Sequence, residues 1–292
     1  MQLFVNDLTV MDFSYLCPKR GMVGESWIVD VVLDGDLNDE SMIEDFGKVK
    51  KNLKRLIDDY VDHKLLVPAE HARSVVLHDS DSEQVEVQFT CENGEQWMLY
   101  CPSEAYAFIY SDSVTMGSVG EYLREVIATH LPQNVDNIEL HLRNEVITSP
   151  YYHYTHGLKK HDGNCQRIAH GHRSRIDVYI DGELSEEGQS YWANRWADIY
   201  IATDEDRIDY RERKIAGEVD TPDNYLCFAY EASQGYFEIL VPKARCEVVG
   251  TDSTVECLAQ FLLNAQQRRH PGHQHKVVAY EGVGKGAMVT GS

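Results

Sequence analysis

The sequence predicts an α+β protein built from two tandem, homologous domains, residues 1–149 and 150–292. Three observations point there. Runs with period-two alternation mark antiparallel strands, amphipathic stretches mark helices on one face of each sheet, and the two halves repeat one another. Val23-Gly-Glu-Ser-Trp-Ile-Val-Asp-Val-Val-Leu-Asp-Gly-Asp-Leu37 aligns with His170-Gly-His-Arg-Ser-Arg-Ile-Asp-Val-Tyr-Ile-Asp-Gly-Glu-Leu184 at an offset of 147. Trp97-Met-Leu-Tyr-Cys-Pro102 aligns with Phe237-Glu-Ile-Leu-Val-Pro242 at an offset of 140, and the same offset pairs Asp112-Ser113 with Asp252-Ser253. Two matches in the same order define the repeat, with its boundary at Ser149-Pro150.

The elements follow in order. Residues 24–35 alternate and end in Asp34-Gly35, a strand running into a hairpin turn. Met42, Phe46, Val49, Leu53, Ile57 and Tyr60 recur at spacings of three and four, which predicts a helix whose start Asp45 caps. Residues 84–91 and 96–101 flank Asn93-Gly94 as a hairpin, 118–130 read as a helix and 137–145 as a strand. The second half repeats this order. Trp192, Trp196 and Tyr200 keep helical spacing within 189–203, and the two tryptophans belong to the core. Residues 225–232 and 235–242 form a hairpin, 254–266 a helix and 275–281 the last strand.

Composition narrows the function. The chain has 292 residues and a formal charge of -21, which argues against a nucleic-acid partner, because phosphate binding needs clustered cations. No apolar run reaches membrane-spanning length and no signal-peptide pattern opens the chain. Seven cysteines, an odd number in a chain of this size, fit a reduced cytoplasmic setting.

The chemistry gathers around His170-Gly-His172. Side chains two apart on a strand share a face, so both imidazoles point the same way. A third imidazole would complete a three-nitrogen site with one open position, for which zinc is the best-suited metal. In the first domain Val23 and Glu25 stand at the same two positions, and valine cannot ligate a metal. Cys165 lies five residues upstream, within reach of a metal-bound ligand.

Taken together, these pieces resemble the 6-pyruvoyltetrahydropterin synthase / 6-carboxytetrahydropterin synthase (QueD-like) family of the tunnelling fold. The matching segments are Tyr152-x-x-x-His156-x-Leu158, Cys165-x4-His170-Gly-His172, Met42-Ile-Glu-Asp45-Phe46 with Lys50, Asp62-His63 followed by Leu65-Leu66, Thr254-Val-Glu256, and Tyr280-Glu281. The resemblance implies zinc held by His156, His170 and His172, with His153 and His161 as rivals for the first position. It also implies a proton-accepting Cys165, since a thiol beside a cation and an imidazole suits base chemistry near neutrality. Asp62 and His63 would form a relay, Glu281 or Glu145 a further relay carboxylate, and Thr254 with Glu256 the pterin anchor, with Glu121 as the first-domain counterpart of Glu256.

The function implied is a zinc-dependent lyase. It would act on 7,8-dihydroneopterin triphosphate with triphosphate elimination, giving 6-carboxy-5,6,7,8-tetrahydropterin for queuosine synthesis or a related tetrahydropterin. Asp62-His63 occurs only in the first domain and the metal motif only in the second, so each domain would supply half of one site. Members of this family close into barrel-like rings, which implies a homo-oligomer. Two rivals are a non-catalytic pterin- or purine-binding regulator on the same scaffold and a protein in which zinc with Cys165 as a fourth ligand is purely structural.

Overall fold

The computed structural model describes residues 1–292. Its N-terminal alternation folds into a long hairpin. Strands β1 (Gln2–Cys17) and β2 (Gly21–Gly35) pair antiparallel around a turn at Pro18–Arg20. The first domain continues through α1 (Phe46–Tyr60), β3 (Leu65–Pro68), β4 (Ser74–His78), β5 (Gln84–Thr90), β6 (Gln96–Pro102), β7 (Tyr106–Ile109), α2 (Met116–Ala128) and β8 (Val135–Asn144). The second contains β9 (Tyr151–His156), β10 (His170–Ile180), β11 (Glu183–Leu184), α3 (Glu186–Arg195), β12 (Ile199–Thr203), β13 (Arg207–Ile208), β14 (Tyr225–Ala232), β15 (Gly235–Pro242), β16 (Cys246–Val249), α4 (Val255–Arg269), β17 (His275–Tyr280) and β18 (Gly286–Gly291).

The domains share one plan. One sheet runs β7-β3-β1-β2-β8, and its counterpart runs β16-β12-β9-β10-β17 with β18 added outside. Each sheet buries one face under two helices. Val49, Leu53, Ile57, Val119 and Leu123 cover Phe13, Val29 and Val31 in the first domain. Trp192, Leu258 and Leu262 cover Tyr152, Val178 and Val277 in the second. Helix starts are set by side-chain caps: Asp45 accepts from Lys48 N, Thr115 from Ser118 N, and Thr254 from Cys257 N.

A third sheet joins the halves. Its order is β13-β14-β15-β6-β5-β4, so the hairpin of each domain meets the other edge to edge. Leu99 of β6 lies directly opposite Ile239 of β15. These are the same position in the two repeats, so a pseudo-two-fold axis passes between them, the arrangement of an isologous dimer within one chain. Leu99, Trp97, Phe237 and Ile239 are all buried in one cluster with Leu16, Met22 and Ile168, drawn from both domains. Burying one such side chain contributes about 1.5–3 kcal/mol, so this shared cluster ties the two halves together.

The same axis passes between the two central hairpins. Ser14 pairs with Gly24, Thr155 pairs with Gly171, and Ser14 Oγ lies 2.7 Å from Thr155 Oγ1. A Cβ built on Gly24 would stand 1.8 Å from the Tyr154 carbonyl oxygen, and one on Gly171 would stand 2.6 Å from Gly24 Cα.

Three local expectations change. Asp34-Gly35 makes no hairpin, because Gly35 stays in the sheet opposite Val135. The equivalent Asp181-Gly182 does turn, with φ of 51° and 88°, and folds β11 back on β10. Helical spacing carries the tryptophans but not Tyr200: the helix ends at Arg195 and Tyr200 sits in β12. The large sheets are also mixed, since β3 runs parallel to β1 and β7, and β12 parallel to β9 and β16.

An insertion between β12 and β14 straps the two domains together. Lys214 N and Ile215 N donate to the buried Glu238 carboxylate at 2.8 to 2.9 Å, and Ala216 N and Gly217 N donate to buried Glu86 at 2.8 and 2.9 Å. Glu86 belongs to the first domain and Glu238 to the second, and Tyr100 stands opposite each of them in the shared sheet.

Candidate metal centre

The hairpin β9–β10 builds the centre. His170 pairs across it with His156, and His172 lies two residues on, so all three imidazoles share one face. All three are at most 1 % exposed, and their donor nitrogens lie within 4.8 Å of one another. His156 Nδ1 donates to the Ser253 carbonyl at 3.0 Å and His170 Nδ1 to the Arg167 carbonyl at 3.0 Å. Each donation leaves Nε2 as the free lone pair, the usual way a backbone carbonyl selects the metal-binding tautomer. Burial, reinforced by the neighbouring imidazoles, holds His156 and His170 well below the ordinary histidine range, so both stay neutral.

The donor set fits a metal. Nε2 of His156 and Nε2 of His172 are buried with no hydrogen-bond partner, a costly state that a cation would relieve. A three-imidazole donor set suits zinc.

Asp62 and His63 arrive from the other domain, just before β3. His63 has φ of 56°, unusual for a non-glycine residue, and its N–H donates to the Asp12 carbonyl at 2.7 Å. Its Nδ1 lies 2.6 Å from Asp62 Oδ2, and its ring centroid is 4.9 Å from that of His170. Burial alone would lower the His63 pKa, but the hydrogen bond to Asp62 and the Cys165 thiol outweigh it and raise it to about 10. His63 is therefore an imidazolium at neutral pH.

His63, Cys165 and His170 form a second group of donors within 4.8 Å. His170 has one free lone pair, since its Nδ1 is spent on Arg167, and it cannot serve two cations at once. Cys165 thus stands between the imidazole triad and the charged His63.

A cavity of about 150 Å³ opens onto this group, lined by His63, Cys165, His170, His172, Thr254, Glu256 and Glu281. Glu281 Oε1 lies 4.0 Å from His172 Nε2. Glu145 does not reach this cavity; its carboxylate lies 3.5 Å from Arg175. Neither rival imidazole joins the triad: His153 Nδ1 donates to the Gly24 carbonyl at 2.7 Å, and His161 stands exposed at the cavity mouth. Register places Asn144, not Glu145, at the counterpart of Glu281, and the matching helix caps place Gly117, not Glu121, at that of Glu256. A far larger concavity of about 1020 Å³ lies beside the strap. None of the imidazole triad, Cys165 or His63 lines it, so size does not mark the site.

Two residues absent from the sequence reading complete the centre. Asp12, in β1, is 3 % exposed; its Oδ1 lies 3.1 Å from His172 Nδ1, and Lys285 Nζ lies 3.0 Å from its Oδ2. Burial pushes this carboxyl up, yet His172, Lys285 and Ser26 together hold it below the usual carboxylate range. A lone aspartate in a strand and a lysine in a glycine-rich loop carry no signal in one sequence.

The pseudo-two-fold axis generates a second, altered copy of this geometry. Tyr15 replaces His156, Val23 replaces His170 and Glu25 replaces His172, while Asp198, with φ of 52°, takes the place of His63. Asp198 pairs with Arg20 at 2.5 Å, and Glu25 lies 3.8 Å from His153. The Arg20–Asp198 ion pair and the Glu25–His153 contact stand where the other copy has its imidazoles.

Fold and site together define a tandem α+β protein with one buried imidazole triad and a cross-domain acid–imidazole–thiol group. The family model described as 6-pyruvoyl tetrahydropterin synthase matches twice, at residues 17–151 and 145–292. The chain belongs to that family, as a tandem duplication. No curated protein matches the chain. Among solved structures, 6-pyruvoyltetrahydropterin synthase from Plasmodium vivax is 15% identical, with a TM-score of 0.40, covering 51% of this chain and 93% of its own. A catalytic-residue mutant of that enzyme is 15% identical, with a TM-score of 0.40 and coverage of 49% and 90%. The Plasmodium falciparum enzyme is 13% identical, with a TM-score of 0.39 and the same coverage.

Proposed function

We propose that this chain is a zinc-dependent tetrahydropterin synthase acting on 7,8-dihydroneopterin triphosphate. The product is 6-carboxy-5,6,7,8-tetrahydropterin, formed with water as triphosphate leaves and the two outer side-chain carbons depart as acetaldehyde, feeding queuosine synthesis, or a closely related tetrahydropterin. One observation carries the reading: His170 and His172 of the second domain's imidazole triad and His63 of the first domain line a single cavity.

His156, His170 and His172 hold the zinc, which when bound polarises the side-chain oxygens of the substrate. Cys165 accepts a proton from the substrate side chain as triphosphate leaves with the electrons of its C–O bond. The His63 imidazolium stabilises the Cys165 thiolate, and Asp62 stabilises the imidazolium. Glu256 accepts from the pterin 2-amino group and ring N–H, with Thr254 beside it at the helix start. Glu281, 4.0 Å from His172, is the further relay carboxylate. The setting is cytoplasmic, and no helix is long and apolar enough to cross a membrane. Outer strands β8 and β18 are the edges along which further copies would pair in a homo-oligomer.

Incubating the purified protein with dihydroneopterin triphosphate and identifying the products tests the proposal. Stoichiometric triphosphate release together with a tetrahydropterin product is the expected result. Pterin binding without consumption of substrate would replace it with the regulator reading.

A further inference from the structure

We infer that Asp12, contributed by the domain without metal-binding imidazoles, is the positioning residue that aims His172 at the zinc. The inference rests on the zinc reading above. His156 and His170 each have a backbone carbonyl against Nδ1; His172 has none. Asp12 Oδ1 lies 3.1 Å from its Nδ1, approached off the N–H axis, so the contact is close but bent in this structure. A carboxylate on one imidazole nitrogen directs the other to the metal and makes it a better donor.

The carboxylate is itself held rigidly. Ser26 Oγ donates to Oδ1 at 2.5 Å, Lys285 Nζ donates to Oδ2 at 3.0 Å, and the side chain is 4 % exposed. A loop of the second domain closes over it, where Gly282 has φ of 69° and a Cβ there would stand 2.5 Å from Asp12 Oδ1. Only glycine allows that approach. The backbone of Asp12 is tied to the relay as well: its N–H donates to Asp62 Oδ1 at 2.7 Å, and its carbonyl accepts from His63 N at 2.7 Å. One residue thus sets the orientation of a metal ligand in one domain and the placement of the acid–imidazole pair in its own. The repeat explains why this needs two domains. The position equivalent to Asp12 is His153, and the position equivalent to His172 is Glu25, so in both copies the first domain supplies the acid and the second the imidazole.

Zinc affinity, measured by chelator competition on the full-length protein, tests this without recourse to activity. Asp12→Asn keeps the shape and is expected to bind zinc about 10–100-fold more weakly, with one zinc per chain still reached at saturation. Glu25→Gln removes the equivalent buried carboxylate and is expected to leave zinc affinity within about twofold of wild type. Equal affinity of Asp12→Asn and wild type, or an equal loss in Glu25→Gln, overturns the inference. Should Asp12→Asn fail to fold, Ser26→Ala loosens the same carboxylate, and unchanged zinc affinity in that variant overturns it too. A wild-type protein that binds no zinc defeats the zinc reading itself, which separates the two failures.

Discussion

Gly24 and Gly171, the same position in the two repeats, meet across the pseudo-two-fold axis with no room for a side chain between them: a Cβ on Gly171 would fall 2.3 Å from the Tyr154 carbonyl oxygen and 2.6 Å from Gly24 Cα. This contact brings the central hairpins close enough for Asp12 to reach His172.

Gly171→Ala is expected to destabilise the protein by about 3 kcal/mol or more, above the usual range for overpacking because the clash is with backbone. Urea unfolding of the metal-free protein measures it. A loss under about 1 kcal/mol would mean that the hairpins can part without cost.

His63→Ala and Cys165→Ala are expected to fold, retain one zinc per chain, and lose about 10²–10⁴-fold in turnover, the usual worth of a positioned acid or base. Metal analysis beside a product assay checks this. Loss of zinc or of the fold in Cys165→Ala would instead favour the structural-zinc reading.

Glu25 gives a pH signature independent of the metal. Burial raises its pKa from 4.5 to about 7, although Ser26 N and Arg173 pull the other way. A carboxyl raised on folding is at full stability below pH 4.5, and that stability is lost as pH rises through 7. Glu25→Gln should therefore gain on wild type across this window, reaching an advantage on the order of 3 kcal/mol by pH 8, an upper figure from 1.36 kcal/mol per unit. Denaturant titrations at pH 5 and pH 8 read the difference. An advantage that does not grow with pH contradicts it.

The strap should open when its anchors are removed. Glu238→Ala strips the acceptor from Lys214 N and Ile215 N, and Glu86→Ala strips it from Ala216 N and Gly217 N. Each leaves one buried and one partly buried N–H unsatisfied, at about 1–3 kcal/mol for the buried one. Trypsin cleavage after Arg213 or Lys214 should accelerate at least about tenfold, followed by gel electrophoresis. Cleavage at the wild-type rate would mean that packing of Ile215 and Val219 alone holds the segment.

Much of the plan was legible in the residues. Period-two runs, caps and helical spacing placed most elements, and the offsets of 147 and 140 exposed the duplication. The His-Gly-His pair was readable because strand alternation converts a spacing of two into a shared face. Tyr200 was misread as helical because its four-residue spacing from Trp196 extends a helix period into a strand. Glu145 competed with Glu281 because a one-residue difference in strand register is invisible without partners.

The sequence by itself determined the local structure, the repeat and which domain owns which reactive side chains, because those follow from periodicity and residue chemistry along the chain. Only the tertiary structure decided that Asp12 faces His172, that His63 meets Cys165, and that Ser253 and Arg167 carbonyls orient two of the imidazoles. The Asp12–His172 and His63–Cys165 contacts join residues 160 and 102 positions apart in the two domains, which meet where two glycines let the hairpins cross at backbone distance.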